Sequence, residues 1–147
     1  LFHETYAPLE EKAPLRDGAL ALLKEAHEKG VRQFILSNHL VSSIQKQLRR
    51  LGIDSYIDGI MANPDASAQC KGLPKGEKLR LLMAENNLKP ETIAIVGDSI
   101  EEIRIGRDLG LICVAITGGG ATAERLAAER PHHLVHNLHD IKGILTV

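Results

Sequence analysis

The sequence contains few aromatic residues, two cysteines and no tryptophan. Aromatic side chains make up 3% of its 147 residues, and none is interleaved with a basic stripe, so the composition predicts no nucleic-acid partner. Cys70 and Cys113 stand apart in sequence, which argues against a disulfide framework and against a CxxC metal or redox site. Cys113 lies in an apolar run and is expected to be buried. Cys70 lies in a polar loop with no neighbouring pattern that would activate its thiol.

Long hydrophobic runs and an excess of charge of one sign are also missing. The formal net charge is -1, with 25% charged residues. The apolar runs are far shorter than the roughly 18 residues that span a bilayer, and no secretory pattern of basic, apolar and small segments opens the chain. We therefore expect a cytoplasmic protein without a membrane partner.

Helices, glycines and apolar strands alternate regularly along the chain. Helical spacing of apolar residues predicts five helices, the first capped by Asp17 and ended by Gly30, the others at about 41–51, 76–87, 99–109 and 121–129. Apolar runs predict strands at 33–37, 93–96, 111–116 and, more weakly, 134–136, with a short apolar segment at 56–61. Nearly continuous apolar strands are typical of parallel strands covered on both faces, so we predict an α/β fold with a doubly wound, three-layer parallel sheet.

Polar side chains follow two of the predicted strands. Asp98 comes directly after IAIVG, and ligands of open α/β sheets bind outside the carboxyl ends of such strands. Glu102 lies four residues further on, so both carboxylates could hold Mg²⁺, which takes oxygen ligands. The alternative is structural, because Ser99 and Glu102 also form the S-x-x-E pattern of a helix capping box.

Ser37 and Asn38 come at the end of the predicted strand QFILS and could donate hydrogen bonds to a phosphoryl oxygen. The same two residues could instead cap the helix that begins near Val41. Lys75 precedes a predicted helix, where the helix dipole is already positive, so an anion bound nearby would relieve the conflict. Lys75 could also be a solvated lysine, and Lys71 or Lys78 could be the site lysine in its place.

Two other clusters are weaker candidates. The run Gly118–Gly120 could cradle an anion, but the chain lacks a GxxxxGK[ST] pattern, which favours a flexible loop. Four histidines lie close in sequence without the spacing of HExxH or of a zinc finger, and we do not expect them to bind a metal: His132, His133, His136 and His139.

Taken together, these residues resemble the haloacid dehalogenase superfamily of phosphohydrolases. FILSN is similar to the second motif of that family at Ser37, PKGEKL to the third at Lys75, and GDSIEE to the fourth at Asp98 and Glu102, in the family's order and with comparable gaps. The resemblance extends from about Pro14 to the end. The stretch VAITGGGATAERL resembles phosphoglycolate-phosphatase-like members.

The family's first motif, DxDx(T/V), supplies the nucleophilic aspartate and an aspartate that acts as general acid and base, and it does not occur in these 147 residues. In the family it lies upstream, before a helical cap, on a central strand between those that correspond to QFILS and IAIVG. The resemblance therefore implies a sheet without its first strand and most of the cap. Residues 1–14 would be a remnant of cap or linker, and 15–147 the core domain of a longer enzyme; a separate fragment is an alternative.

The function implied by the resemblance is a Mg²⁺-dependent phosphatase that hydrolyses a small phosphate monoester through an aspartyl-phosphate, with its nucleophile upstream of this chain. Asp98 would bind Mg²⁺ directly and Glu102 directly or through water, while Lys75 compensates charge and Ser37, assisted by Asn38, holds a phosphoryl oxygen. The chain by itself would be inactive. The alternative is a noncatalytic binding or regulatory module that has lost the nucleophile. A phosphoacceptor signalling domain would need an acceptor aspartate that the sequence does not show.

Overall fold

The computed structural model describes residues 13–64 and 73–144, in which helices and strands alternate. The helices are α1 (Ala19–Glu28), α2 (Val41–Leu51), α3 (Lys75–Glu85), α4 (Ile100–Leu109) and α5 (Ala123–Ala128). The strands are β1 (Phe34–Leu40), β2 (Gly59–Asn63), β3 (Ala94–Gly97), β4 (Ile112–Ile116) and β5 (His133–Val135). Short 3₁₀ turns cover Asp54–Tyr56, Pro90–Thr92 and Leu138–Gly143. In the described ranges, no helix is long and apolar enough to cross a membrane.

The strands form two parallel sheets. β1 pairs with β2, starting at Phe34 opposite Gly59, and a second sheet has the order β3-β4-β5. Within the described part of the chain, no ladder joins β1 to β3. The predicted parallel α/β fold is confirmed, and among the described strands the two sheets are separate between β1 and β3, where the resemblance predicts a further strand.

β4 is covered on both of its faces, which makes the fold three-layered. Cys113 and Ala115 pack in one cluster with Ile103 of α4 and with Leu126 of α5. The alternate residues of β4 pack in a second cluster with β5, with the last 3₁₀ turn and with Leu22 of α1. Since successive side chains of a strand point to opposite faces, burial on both sides explains the unbroken apolar run of this strand. Cys113 is buried, as expected, whereas Cys70 lies outside the described residues.

Helix α3 connects the two sheets. Its buried residues Leu79 and Leu82 pack with Leu111, with Phe34 and with other apolar residues from both sheets. The residues at the start of this helix are therefore held near the carboxyl ends of both β1 and β3.

Two expectations about local structure are wrong. Asp17 does not cap α1, because the N-cap position is Gly18 in the left-handed region, with φ 83°, and the Asp17 carboxylate instead lies 3.6 Å from His139 Nε2. Ser37 and Asn38 do not cap α2, whose N-cap is Leu40, and they lie inside β1 rather than after it. The strand continues because Leu40 pairs with Asn63 after the register shifts beyond Leu36.

Candidate active site

The register shift in β1 frees the backbone at Ser37 and Asn38 from regular pairing with β2. The Ser37 hydroxyl accepts a hydrogen bond from the His39 backbone N–H at 3.0 Å. A hydroxyl that accepts one hydrogen bond keeps its own proton, so Ser37 can still donate to a bound anion. The side chain of Asn38 is exposed beside it.

Side chains from β2 and α3 hold the carbonyl groups of this segment. The ammonium of Lys78 donates to the Ser37 carbonyl oxygen at 3.0 Å and to Asn63 Oδ1 at 2.8 Å, and Asn63 Nδ2 donates to the Asn38 carbonyl oxygen at 2.6 Å. Burial lowers the pKa of Lys78, and the positive charge of Lys75 lowers it further, against an opposing effect of Glu101. Asn63 was missed by sequence reasoning, since nothing in the sequence near it indicates this contact.

Lys75, the first residue of α3, lies in an acidic corner formed by the start of α4. Its Nζ lies 2.7 Å from Glu102 Oε1 and 3.8 Å from Glu101 Oε2, and its side chain is 16% exposed. Partial burial alone would lower the pKa of Lys75, but the hydrogen bond to Glu102 and the charges of Glu102, Glu101 and Asp98 outweigh it and raise the pKa. Lys75 is therefore not a solvated lysine. The negative charge expected beside a lysine at a helix start is provided by the carboxylates of Glu102 and Glu101. Lys71 lies outside the described residues.

Glu102 has partners at both carboxylate oxygens. Oε1 accepts from Lys75, while Oε2 accepts from the Ser99 backbone N–H at 3.2 Å and from the Ser99 hydroxyl. The predicted capping box at the start of α4 is therefore present. Burial alone would raise the pKa of Glu102, but the hydrogen bonds from Lys75 and Ser99 reverse the shift and lower it. A metal ion bound directly by Glu102 would have to replace one of these partners.

Asp98, at the end of β3, has a carboxylate that accepts no hydrogen bond from the described residues. Its backbone carbonyl accepts from the Ala121 N–H at 3.2 Å, which draws the loop after β4 against it. In that loop, Gly119 lies so close that a Cβ on it would be 2.5 Å from the Asp98 Cβ and nearer still to the carboxylate. Asp98 is thus the acid of this corner that is available to a cation.

The donor set fits a hard divalent cation that is shared with a substrate. The described residues include no group of three or more His, Cys, Asp or Glu side chains that could hold a metal ion by themselves. Mg²⁺ is commonly bound through one or two carboxylates, with water and substrate phosphate completing its coordination. One unengaged carboxylate, with a second held next to it, matches that pattern.

The remaining sequence candidates lie apart from this corner or have other partners. His132 Nδ1 accepts from the Cys113 backbone N–H at 2.9 Å, and His136 Nδ1 lies 3.0 Å from the Thr117 hydroxyl. Neither contact involves the acidic corner. A cavity of about 430 Å³ lies between α2 and β2, and its lining includes Leu48 and Ile60 but none of the predicted site residues.

The chain matches a known protein family and is similar to curated proteins and to a solved structure. A model of the haloacid dehalogenase-like hydrolase family matches residues 2–110. The chain is 27% identical to a phosphoglycolate phosphatase from Synechococcus elongatus over 129 residues, which cover 88% of this chain and 58% of that protein. It is 26% identical to phosphoglycolate phosphatase 1 from Pseudomonas aeruginosa over 141 residues, covering 96% and 51% respectively. The chain thus spans about half the length of the curated relatives it matches.

A solved structure shows the same fold. YfnB from Bacillus subtilis, described as a HAD-hydrolase bound to magnesium, matches with a TM-score of 0.75 at 22% identity, over 95% of this chain and 58% of that one.

Proposed function

Because the chain belongs to the haloacid dehalogenase-like hydrolase family, we propose that it forms most of the core domain of a Mg²⁺-dependent phosphatase acting on a small phosphate monoester. Residues 15–147 constitute this core, and residues 1–14 are a remnant of cap or linker. The proposal concerns the longer protein, since the chain spans 58% and 51% of the two phosphoglycolate phosphatases described above.

The observation that carries the proposal is the position of α3 between two polar strand ends. Lys75 contacts the acidic corner after β3, and Lys78, three residues later, contacts the backbone of Ser37 in β1. A hydroxyl donor, an ammonium group and a free carboxylate are thereby gathered around one helix start. These are the groups that phosphoryl transfer needs to orient a phosphate and to neutralise its charge.

Each of these groups has a defined part in the proposed reaction. Asp98 would hold Mg²⁺, with Glu102 beside it, and the ion would supply positive charge that lowers the repulsion between the phosphate and its attacking carboxylate. That YfnB is described as bound to magnesium supports the choice of ion. Ser37 donates to a phosphoryl oxygen, and Asn38 assists from its exposed position. Lys75, kept protonated by Glu102, compensates charge on the phosphate.

The nucleophile in this proposal is an aspartate on a parallel strand between β1 and β3, supplied by sequence outside these 147 residues. β1 pairs only with β2, and β3 only with β4, so each strand has a free edge within the described sheets. Val96 of β3 is 42% exposed, although strands of doubly wound sheets are ordinarily covered. The aspartate attacks phosphorus in line, the alcohol leaves, and water hydrolyses the resulting aspartyl-phosphate.

The test is turnover of p-nitrophenyl phosphate by the full-length gene product with Mg²⁺. Asp98→Asn is expected to lower kcat/KM by at least about 100-fold, because the neutral amide is a poor ligand for Mg²⁺. Asp108→Asn is the matched control, since this exposed aspartate lies on α4, the helix that follows Asp98, and has no side-chain partner among the described residues. A full-length protein that binds Mg²⁺ and phosphate without turnover would contradict the proposal and favour a noncatalytic module.

A further inference from the structure

Lys78 is a buried cation whose described hydrogen-bond partners are all neutral. The residue is 5% exposed, and its ammonium donates to a carbonyl and to an amide oxygen, with no carboxylate within ion-pair distance in the described ranges. Burying a charge is costly unless hydrogen bonds compensate for the lost water. Packing of α3 does not require this cation, because Leu79 and Leu82 already provide its apolar contacts.

The two groups held by this arrangement are consecutive carbonyls of β1. Lys78 holds the carbonyl of Ser37, and Asn63, itself bound to Lys78, holds the carbonyl of Asn38. At these positions the regular pairing between β1 and β2 is interrupted, resuming only where Leu40 meets Asn63. Side chains therefore replace the sheet hydrogen bonds at the segment that carries the Ser37 hydroxyl.

We propose that Lys78 and Asn63 are positioning residues that fix the Ser37–Asn38 backbone so that it binds a phosphoryl group. This inference rests on the proposed function. The two lysines of α3 then have separate tasks, since Lys75 is paired with the acids and can face a substrate, whereas Lys78 is committed to the backbone behind Ser37. Loss of the Lys78–Asn63 pair should loosen phosphate binding without removing any group that touches phosphate.

Lys78→Met tests the cation, because methionine is unbranched and apolar and cannot donate to either oxygen. In the full-length gene product, we expect the inhibition constant of inorganic phosphate to rise about tenfold, the scale of one lost hydrogen bond from a charged group. Amide hydrogen exchange at His39, whose N–H donates to Ser37, should become faster. Lys24→Met is the matched control, since Lys24 is an exposed lysine of α1 without a described side-chain partner.

Asn63→Asp separates positioning from simple stability. The new carboxylate keeps an oxygen for Lys78, and adds an ion pair, but it replaces the N–H donor to the Asn38 carbonyl with a repelling oxygen. We expect a melting temperature no lower than that of the unaltered protein, together with a rise in the KM for p-nitrophenyl phosphate and in the inhibition constant of phosphate.

The outcomes distinguish this inference from the proposed function. If the unaltered protein turns over substrate and both variants fold with unchanged phosphate inhibition, the positioning role is refuted and the proposed function stands. Faster exchange at His39 with unchanged inhibition would show a structural role only, which also refutes it. An unaltered protein that neither binds phosphate nor hydrolyses the ester would overturn both.

Discussion

Gly119, in the loop that follows β4, lies against Asp98, so Gly119→Ala is a precise way to displace that carboxylate without altering it. A Cβ at this position would lie 2.5 Å from the Asp98 Cβ, whereas ordinary contact begins at 3.4 Å. The carboxylate oxygen Oδ2 is closer still, so Asp98 or the loop must move. The φ of Gly119 is outside the left-handed region, and alanine therefore adds a steric conflict without backbone strain.

The expected displacement is comparable with the tolerance of a catalytic site. Misplacing a reacting or ligating group by about 1 Å can cost on the order of 100-fold in rate. We therefore expect Gly119→Ala to lower kcat/KM by about that factor and to raise the Mg²⁺ concentration that gives half-maximal activity. Overpacking costs about 1–3 kcal/mol in a well-packed core, and less is expected in a loop that can yield.

The assay compares Gly119→Ala with Gly120→Ala in the full-length gene product, with Mg²⁺ titrated at fixed p-nitrophenyl phosphate. A Cβ on Gly120 meets no described residue within 4 Å, so the neighbouring substitution has the same chemistry without the conflict. The reasoning is refuted if Gly119→Ala has the activity and Mg²⁺ requirement of Gly120→Ala. Circular dichroism melting of both variants shows whether a loss of activity is a loss of fold.

Two further predictions concern the ion pair between α3 and α4. Lys75→Met should lower the free energy of unfolding, measured in urea, by about 2 kcal/mol, because it leaves the Glu102 carboxylate partly buried without its cation. Adding Glu102→Gln to this variant should recover part of that loss. If the losses of the two single variants simply add in the double variant, the prediction is contradicted. Since the folded-state pKa of Glu102 lies below the ordinary 4.5, its stabilising effect is complete above pH 4.5 and is lost as the pH falls through the lowered value. The stability difference between the unaltered protein and Glu102→Gln should therefore shrink in acid, as measured by urea unfolding at several pH values, whereas an exposed control, Glu91→Gln, should show no comparable trend.

The family and the parallel α/β fold could be predicted because their signals are local. The branch resembling phosphoglycolate phosphatases was likewise predicted, and the named relatives confirm it. Glycines such as Gly52 and Gly110 end helices in the left-handed region, with φ of 71° and 77°, and each is followed by a tight return of the chain. β4 is an unbroken apolar run because both of its faces are buried. Such features need no knowledge of distant contacts.

Side-chain contacts between distant residues could not be predicted in the same way. Lys75 and Lys78 are three residues apart on α3, yet one ammonium meets Glu102 and the other meets the Ser37 carbonyl. Sequence spacing treats both as lysines near a helix start, and only the packing of α3 against both sheets separates their surroundings. The sequence predicts a flexible loop at Gly119. It does not predict the contact with Asp98, because that contact joins the ends of two strands that are distant in sequence.

Of the two alternatives for Ser99 and Glu102, the structure confirms the capping box, and it joins that box to the site lysine. A carboxylate has two oxygens, and Glu102 uses one for the helix start and the other for Lys75. The capping box therefore orients the Glu102 carboxylate that binds Lys75, so the contact that stabilises the start of α4 also positions the ion pair. The assignment of Asp98 and Glu102 as metal ligands stays a prediction, and in this geometry Asp98 is the acid free to coordinate.

The charges at this corner explain why a cation and a phosphate should bind together. Glu101, Glu102 and Asp98 carry three negative charges, against the positive charges of Lys75 and Lys78, so these five side chains together leave one net negative charge. A phosphate monoester approaching Ser37 is repelled by that excess, whereas a divalent cation at Asp98 reverses its sign. Because the two ligands then stabilise each other, the affinity for each must rise by the same factor when the other is bound. Phosphate inhibition of the proposed enzyme should accordingly weaken as Mg²⁺ is removed. An inhibition constant that does not change with the Mg²⁺ concentration would contradict this coupling between phosphate and a cation at Asp98.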